Sequence, residues 1–265
     1  MIYAALTFWL LVIVMTAWGV HALWSGMVKP KVFNLMLLPG TLVAQVGHIL
    51  GLLVTGGTVN NTALIRDDDS GAPKTNPNPE PRIPVLGPVV VGMLPLLACA
   101  AAIYFVARYL GGSMLVRLSP GVVGPVLPTS LGAVWQLLRD QISLMESMVS
   151  AVLSTNLGSW QALLFWYLLI CLTIRMAPFP GMLRGALAAI LVLGVAGGLA
   201  SRLFAIGSPG VVEAWQVLNL VVAMLLVLLL LSLVIRGLIG LVNLIRGQEP
   251  SAAPAAGRKA QRVAA

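Results

Sequence analysis

The chain has 265 residues, of which 59% are hydrophobic and only 9% charged, and its mean hydropathy is +0.97. A soluble globular domain carries about 25% charged residues, so this composition excludes one and specifies an integral membrane protein. The net charge of +8 does not point to nucleic acid, because the Lys and Arg residues are spread over loop ends and the tail, where they serve as topology signals and contacts to anionic lipid.

A spanning helix needs about 20 mostly apolar residues, and six segments qualify. The first is Ile2 to Trp24, an apolar run with no basic region before it and no small-residue cleavage site after it, which reads as a retained helix. Trp18, His21 and Trp24 near its end form a candidate interfacial belt. A basic turn, Lys29-Pro30-Lys31, leads to the second segment, Val32 to Val54, with Pro39 in its first half expected to kink it. Gly47 and Gly51 within it make a G-x-x-x-G pair that permits close approach of another helix. Residues 60–84 are a hydrophilic linker, with Asp67, Asp68 and Asp69 and a run of alternating prolines that favours extended, solvated chain. Three consecutive aspartates lack the spaced oxygens and glycine turn of a calcium loop.

The third segment, Pro84 to Leu110, contains Pro88 and Pro95 and is expected to be irregular. Residues 129–155 form an amphipathic helix rather than a span, with Thr129 or Ser130 as its N-cap. Its apolar stripe is Leu131, Val134, Trp135, Leu138, Ile142, Met145, Val149 and Val152, expected to be the buried face. Arg139, Asp140, Ser143, Glu146 and Ser147 take the other side, with Arg139 and Glu146 exposed. The fourth, fifth and sixth segments are Trp160 to Ile174, Met182 to Phe204 and Val211 to Ile235, the last with a basic continuation to Arg246. The two cysteines, Cys99 and Cys171, sit inside apolar runs as small packing residues. The expected architecture is thus an all-α polytopic helix bundle, one domain over 1–246, followed by a disordered basic tail at 247–265.

Six spans place both ends on one side. With the amino terminus in the cytoplasm, ten of the 16 Lys and Arg residues fall inside and six outside, which favours that orientation in a bacterial inner membrane.

Within the second segment, Ala44-Gln45-Val46-Gly47-His48 falls on the frame of a His-Glu-x-x-His zinc helix, where two imidazoles share one face with a glutamate as general base. Only His48 remains of the ligands, and the base position is Gln45. The run from Leu38-Pro-Gly40 through His48 to Gly56-Gly57, the later Gly87-Pro88, and Pro178-Phe-Pro-Gly-Met182-Leu-Arg-Gly-Ala186 together resemble the site-2 protease family of intramembrane zinc metalloproteases. The resemblance implies that Ala44, Gln45, His48 and Met182 stand at former zinc-ligand and base positions, with Met182 in place of the third ligand, an aspartate. One imidazole and a thioether cannot hold a catalytic zinc, which needs three protein ligands and an open water position. Glutamine cannot take a proton from water. The resemblance therefore implies a pseudoprotease with no cofactor, no catalytic residue and no metal, which binds transmembrane segments of another protein. Two other readings stay open. In one, Gln45 and His48 line the polar path of a small transporter or channel. In the other they merely join neighbouring helices of a structural membrane subunit.

Overall fold

The computed structural model describes residues 2–56, 62–63, 74–75, 86–111, 130–154, 159–177, 183–203 and 209–245. Within them the chain is an all-helical bundle. Its helices are α1 (Ile2–Ser25), α2 (Pro30–Met36), α3 (Leu38–Val54), α4 (Leu86–Leu110), α5 (Leu131–Leu153), α6 (Trp160–Ile174), α7 (Leu183–Leu203) and α8 (Pro209–Ile245). In the hydrophilic linker, Thr62–Ala63 pairs antiparallel with Lys74–Thr75. The aspartate run of that linker and the tail from 247 lie outside the described residues.

Three helices are long and apolar enough to cross a bilayer: Ala4–Ser25, Gly87–Leu110 and Trp215–Val242. Three more apolar helices are shorter, Leu38–Val54, Trp160–Ile174 and Gly185–Leu199. The six apolar segments of the sequence therefore all exist as helices, and the chain is a membrane-associated helical protein.

Proline placement accounts for two departures from expectation. The second segment does not kink at Pro39; it breaks, with α2 ending at Met36 and α3 starting at Leu38, so that Pro39 sits in the first turn of α3. There its missing N–H removes no helical bond. The third segment is a continuous helix through Pro95, with Pro88 likewise in its first turn.

Side-chain bonds set the order of the bundle. Trp9 Nε1 donates to Asn219 Oδ1 at 3.0 Å, and Trp24 Nε1 donates to Ser232 Oγ at 2.8 Å. Both residue numbers rise together, so α1 and α8 run parallel. Gln141 Nε2 of α5 donates to the same Asn219 Oδ1 at 2.8 Å, while Asn219 Nδ2 donates to the Trp215 carbonyl. Met145, Val149 and Leu153 then border the same groove as Val227 and Leu230, so α5 also runs lengthwise along α8.

The N-cap of α5 is Ser130, whose side chain accepts from the Ala133 N–H. Its buried face is not the expected one. Leu137, Gln141, Leu144, Met148 and Ala151 are buried, whereas Trp135, Leu138, Ile142, Val149 and Val152 of the apolar stripe are exposed. Arg139 and Glu146 are exposed as expected, and the Arg139 guanidinium lies 6.0 Å from the Trp135 ring. The buried set is about a quarter turn from the apolar stripe at 100° per residue. In lipid, hydrophobicity does not drive helices together; packing and interhelical hydrogen bonds do, so Gln141 turns inward to Asn219 and the greasiest face is left outward.

Candidate functional site

The polar pair on α3 is held against α4 by glycines. A Cβ at Gly47 would stand 2.7 Å from the Leu94 carbonyl oxygen and 2.8 Å from the Pro95 Cα. One at Gly51 would stand 2.9 Å from the Val91 Cα. The two backbones therefore touch along one edge, as small-xxx-small seams allow. Beside that edge Ala44, Gln45 and His48 are all buried, at 0%, 3% and 3% exposure.

His48 hydrogen-bonds the backbone of Val91. Val91 is four residues before Pro95, which lies inside α4 and has no N–H to return to the Val91 carbonyl. An apolar interior offers no water for that orphaned carbonyl, so a neighbouring helix has to supply a donor. The imidazole N–H of His48 is that donor, and Gly47 is what lets it come close enough.

Three of the four residues singled out as former zinc-site positions thus lie on one buried face of α3. The fourth, Met182, lies outside the described residues. α3 packs on α4 and α6, whereas α7 packs on α4 and α1. Gly185 of α7 is set against the Pro88 carbonyl and Gly92 of α4, and α3 meets α4 at Val91, Leu94 and Pro95. These two faces of α4 are roughly a quarter turn apart. Among the described residues no group of three His, Cys, Asp or Glu side chains could hold a metal ion.

Other polar groups escaped the sequence reading. Asn219 is 0% exposed in the middle of an apolar run and binds Trp9 and Gln141. A lone amide between Leu218 and Leu220 was a legible signal, since polar groups at membrane depth face the bundle. Arg175 was read as a loop charge, yet it is 6% exposed, caps the end of α6 and donates through a guanidinium nitrogen to Asn34 Oδ1. Cys171, buried and unbridged, donates weakly to the Met36 carbonyl at 3.4 Å, and Tyr167 donates its hydroxyl to the same oxygen at 2.9 Å. The expected belt residues divide. Trp18 is exposed, while Trp24 stacks on Phe33 at 6.3 Å and His21 lies 5.4 Å from the same ring.

The chain matches no family model, no curated protein and no solved structure.

Proposed function

We propose that this chain is a multi-pass membrane scaffold without zinc chemistry, a site-2-protease-like pseudoenzyme that holds a membrane segment of a partner protein. The observation that carries the reading is the bond from His48 to the Val91 backbone beside Pro95. A histidine whose N–H serves a proline-freed carbonyl is committed to joining two helices. The retained Leu38-Pro-Gly40, His48 and Gly87-Pro88 then keep the family's helix pairing, while Ala44 and Gln45 supply neither ligand nor base. A polar transport path has less support, because Gln45 and His48 are buried where α3 and α4 are in backbone contact.

The partner's seat on this reading is the groove between α5 and α8. Gln141 and Trp9 share Asn219, so they stand at one height, and Trp9 is inside the Ala4–Ser25 span. Glu146, five residues further along α5, borders the groove about 7 Å deeper at 1.5 Å per residue. A carboxylate among Met145, Val149 and Leu153 at bilayer depth favours a partner helix that brings a donor.

Zinc analysis of the purified full-length protein tests the reading. The expected content is far below one zinc per chain, and exchange of Ala44→His, Gln45→Glu and Met182→Asp together should create zinc binding. Stoichiometric zinc in the natural protein, lost on His48→Ala, would overturn it.

The parallel course of α1 and α8 also supports a different topology. If both cross, the ends before α1 and after α8 fall on opposite faces, an odd number of crossings in place of six with both ends in the cytoplasm. Lys29 and Lys31 follow α1 and Arg246, Arg258, Lys259 and Arg262 follow α8, so this shared face is the positive, cytoplasmic one. A reporter after residue 246 should therefore read cytoplasm and one ahead of Ile2 the opposite side. Identical readouts from both would restore the even count.

A further inference from the structure

Side-chain bonds tie the heights of α1, α5 and α8 together and put Glu146 midway along the α1 span. Trp9 of α1 and Gln141 of α5 donate to one oxygen, Asn219 Oδ1 of α8, at 3.0 and 2.8 Å. Further along α8, Val227 and Leu230 border Met145, Val149 and Leu153 of α5, so α5 advances in the same direction as α8 and α1. Glu146 therefore lies about 15 Å from the Ala4 end of the Ala4–Ser25 span, which is about 33 Å long at 1.5 Å per residue. Its side chain is exposed on the outside of the bundle. The other charges of α5 stand nearer that end of the span. Arg139 is two turns before Glu146, with its guanidinium 6.0 Å from the Trp135 ring, and Asp140 accepts from Gln136 Nε2 at 3.2 Å.

The groove beside Glu146 fits a helix. Its walls are apolar, Met145, Val149 and Leu153 on one side and Val227 and Leu230 on the other. Along the α5 wall, Glu146, Ser150 and Ser154 recur every four residues, a polar line about 12 Å long. Serines in such a line let a second backbone come close, and the carboxylate at its head needs a donor at the same depth. An acyl chain would fill the walls and leave that carboxylate in hydrocarbon. A second copy, turned about the membrane normal, would set Glu146 against its own counterpart, because a two-fold interface pairs a patch with itself. Charge complementarity selects a third occupant.

Given the scaffold reading, on which this inference rests, we propose that the occupant is a membrane-spanning helix of a different protein that carries a lysine or arginine midway along its span. That cation meets Glu146, and small or apolar side chains follow it along Ser150 and Ser154. Each charge alone is costly at that depth, and pairing offsets both costs. The carboxylate thus sets which helix is held and at what height. The apolar walls supply contact area to any apolar helix and do not discriminate.

The test uses the full chain in phosphatidylcholine vesicles. The readout is energy transfer between a dye on its carboxyl-terminal tail and a dye on a synthetic single-span helix of leucine and alanine. One probe helix has lysine at its centre, a second has leucine there, and a third has the lysine moved seven residues toward either end. The centred-lysine probe should bind about tenfold tighter or more than the leucine probe, the difference expected for a charge-assisted hydrogen bond. Moving the lysine should abolish that advantage. Glu146→Gln should abolish it too while the leucine probe binds as before, and Ser150→Trp, which fills the groove, should weaken all three probes. Equal binding of the centred-lysine and leucine probes by the natural protein overturns the proposal, as it would if a basic residue of this chain already held the carboxylate. So does an advantage that survives Glu146→Gln, or one that persists when the lysine is moved. Energy transfer between differently labelled copies of the natural protein, lost on Ser150→Trp, would put a second copy in the groove and also sink the idea. A long-chain amine that binds one per chain while no probe helix binds does the same. Should Glu146→Gln not fold, the moved-lysine probe decides on the natural protein alone. The zinc measurement separates the two levels: a failed probe series without zinc strikes only the partner's chemistry, whereas stoichiometric zinc strikes the scaffold reading whatever the probes do.

Discussion

His48→Ala should destabilise the protein by about 2–3 kcal/mol, and most of that loss should vanish when Pro95 is also replaced by alanine. The first figure combines a buried carbonyl left without a donor with the space vacated by an imidazole. It is set at the lower end because hydrogen bonds between membrane helices are worth about 1 kcal/mol on average, the unfolded state in lipid finding partners of its own. The second part is the informative one. Pro95→Ala gives α4 back the N–H that bonds the Val91 carbonyl, so the reason for the His48 bond disappears. The double-mutant cycle should then show a coupling of about 1–2 kcal/mol between two residues on different helices. Reversible unfolding in mixed micelles, with helicity as the signal, measures all four corners. An additive cycle would show that His48 and Pro95 act independently, and the scaffold reading would lose its main support.

Much of the fold was legible because spanning helices announce themselves by length and hydropathy. The segments at Ile2 and Trp160 were placed to within a residue at each end. The polar pair Gln45 and His48 was legible for the same reason, as two costly groups one turn apart in an apolar run. What failed followed from applying water-soluble rules inside lipid. The apolar stripe of α5 was assigned to the core, yet the helix buries Gln141 and its neighbours and turns Trp135 and Ile142 outward. Side-chain volume and amide pairing, not apolarity, choose the inward face there. Arg175 was placed in a loop because it follows the last apolar residue of α6; only the return of α2 and α3 over that end buries it. Such a long-range cover leaves no local pattern in the sequence. Met182, on which the zinc-site comparison depends, lies outside the described residues.

Gly47→Val should be the most damaging single substitution on α3, costing about 3 kcal/mol or more, whereas Gly237→Val on α8 should change stability by less than about 0.5 kcal/mol. Both replace a helical glycine with the same branched side chain, so intrinsic propensity is matched between them. Their surroundings differ. At Gly237 nothing lies within 4 Å of an added Cβ. At Gly47 the first atom met is the Leu94 carbonyl oxygen at 2.7 Å, then the Ala98 Cβ and the Pro95 Cα, both at 2.8 Å, and backbone cannot swing aside as a side-chain end can. Relief requires α3 and α4 to separate, which lengthens the bond from His48 to Val91 and opens the seam at Gly51. The same unfolding measurement used for His48 ranks the two variants. It also carries an internal check, because in a Gly47→Ala background the helices are already pushed apart and His48→Ala should cost less than it does alone. An unchanged cost there would mean that the His48 bond survives separation of the backbones, and that glycine at position 47 serves something other than bringing the imidazole to the proline-freed carbonyl.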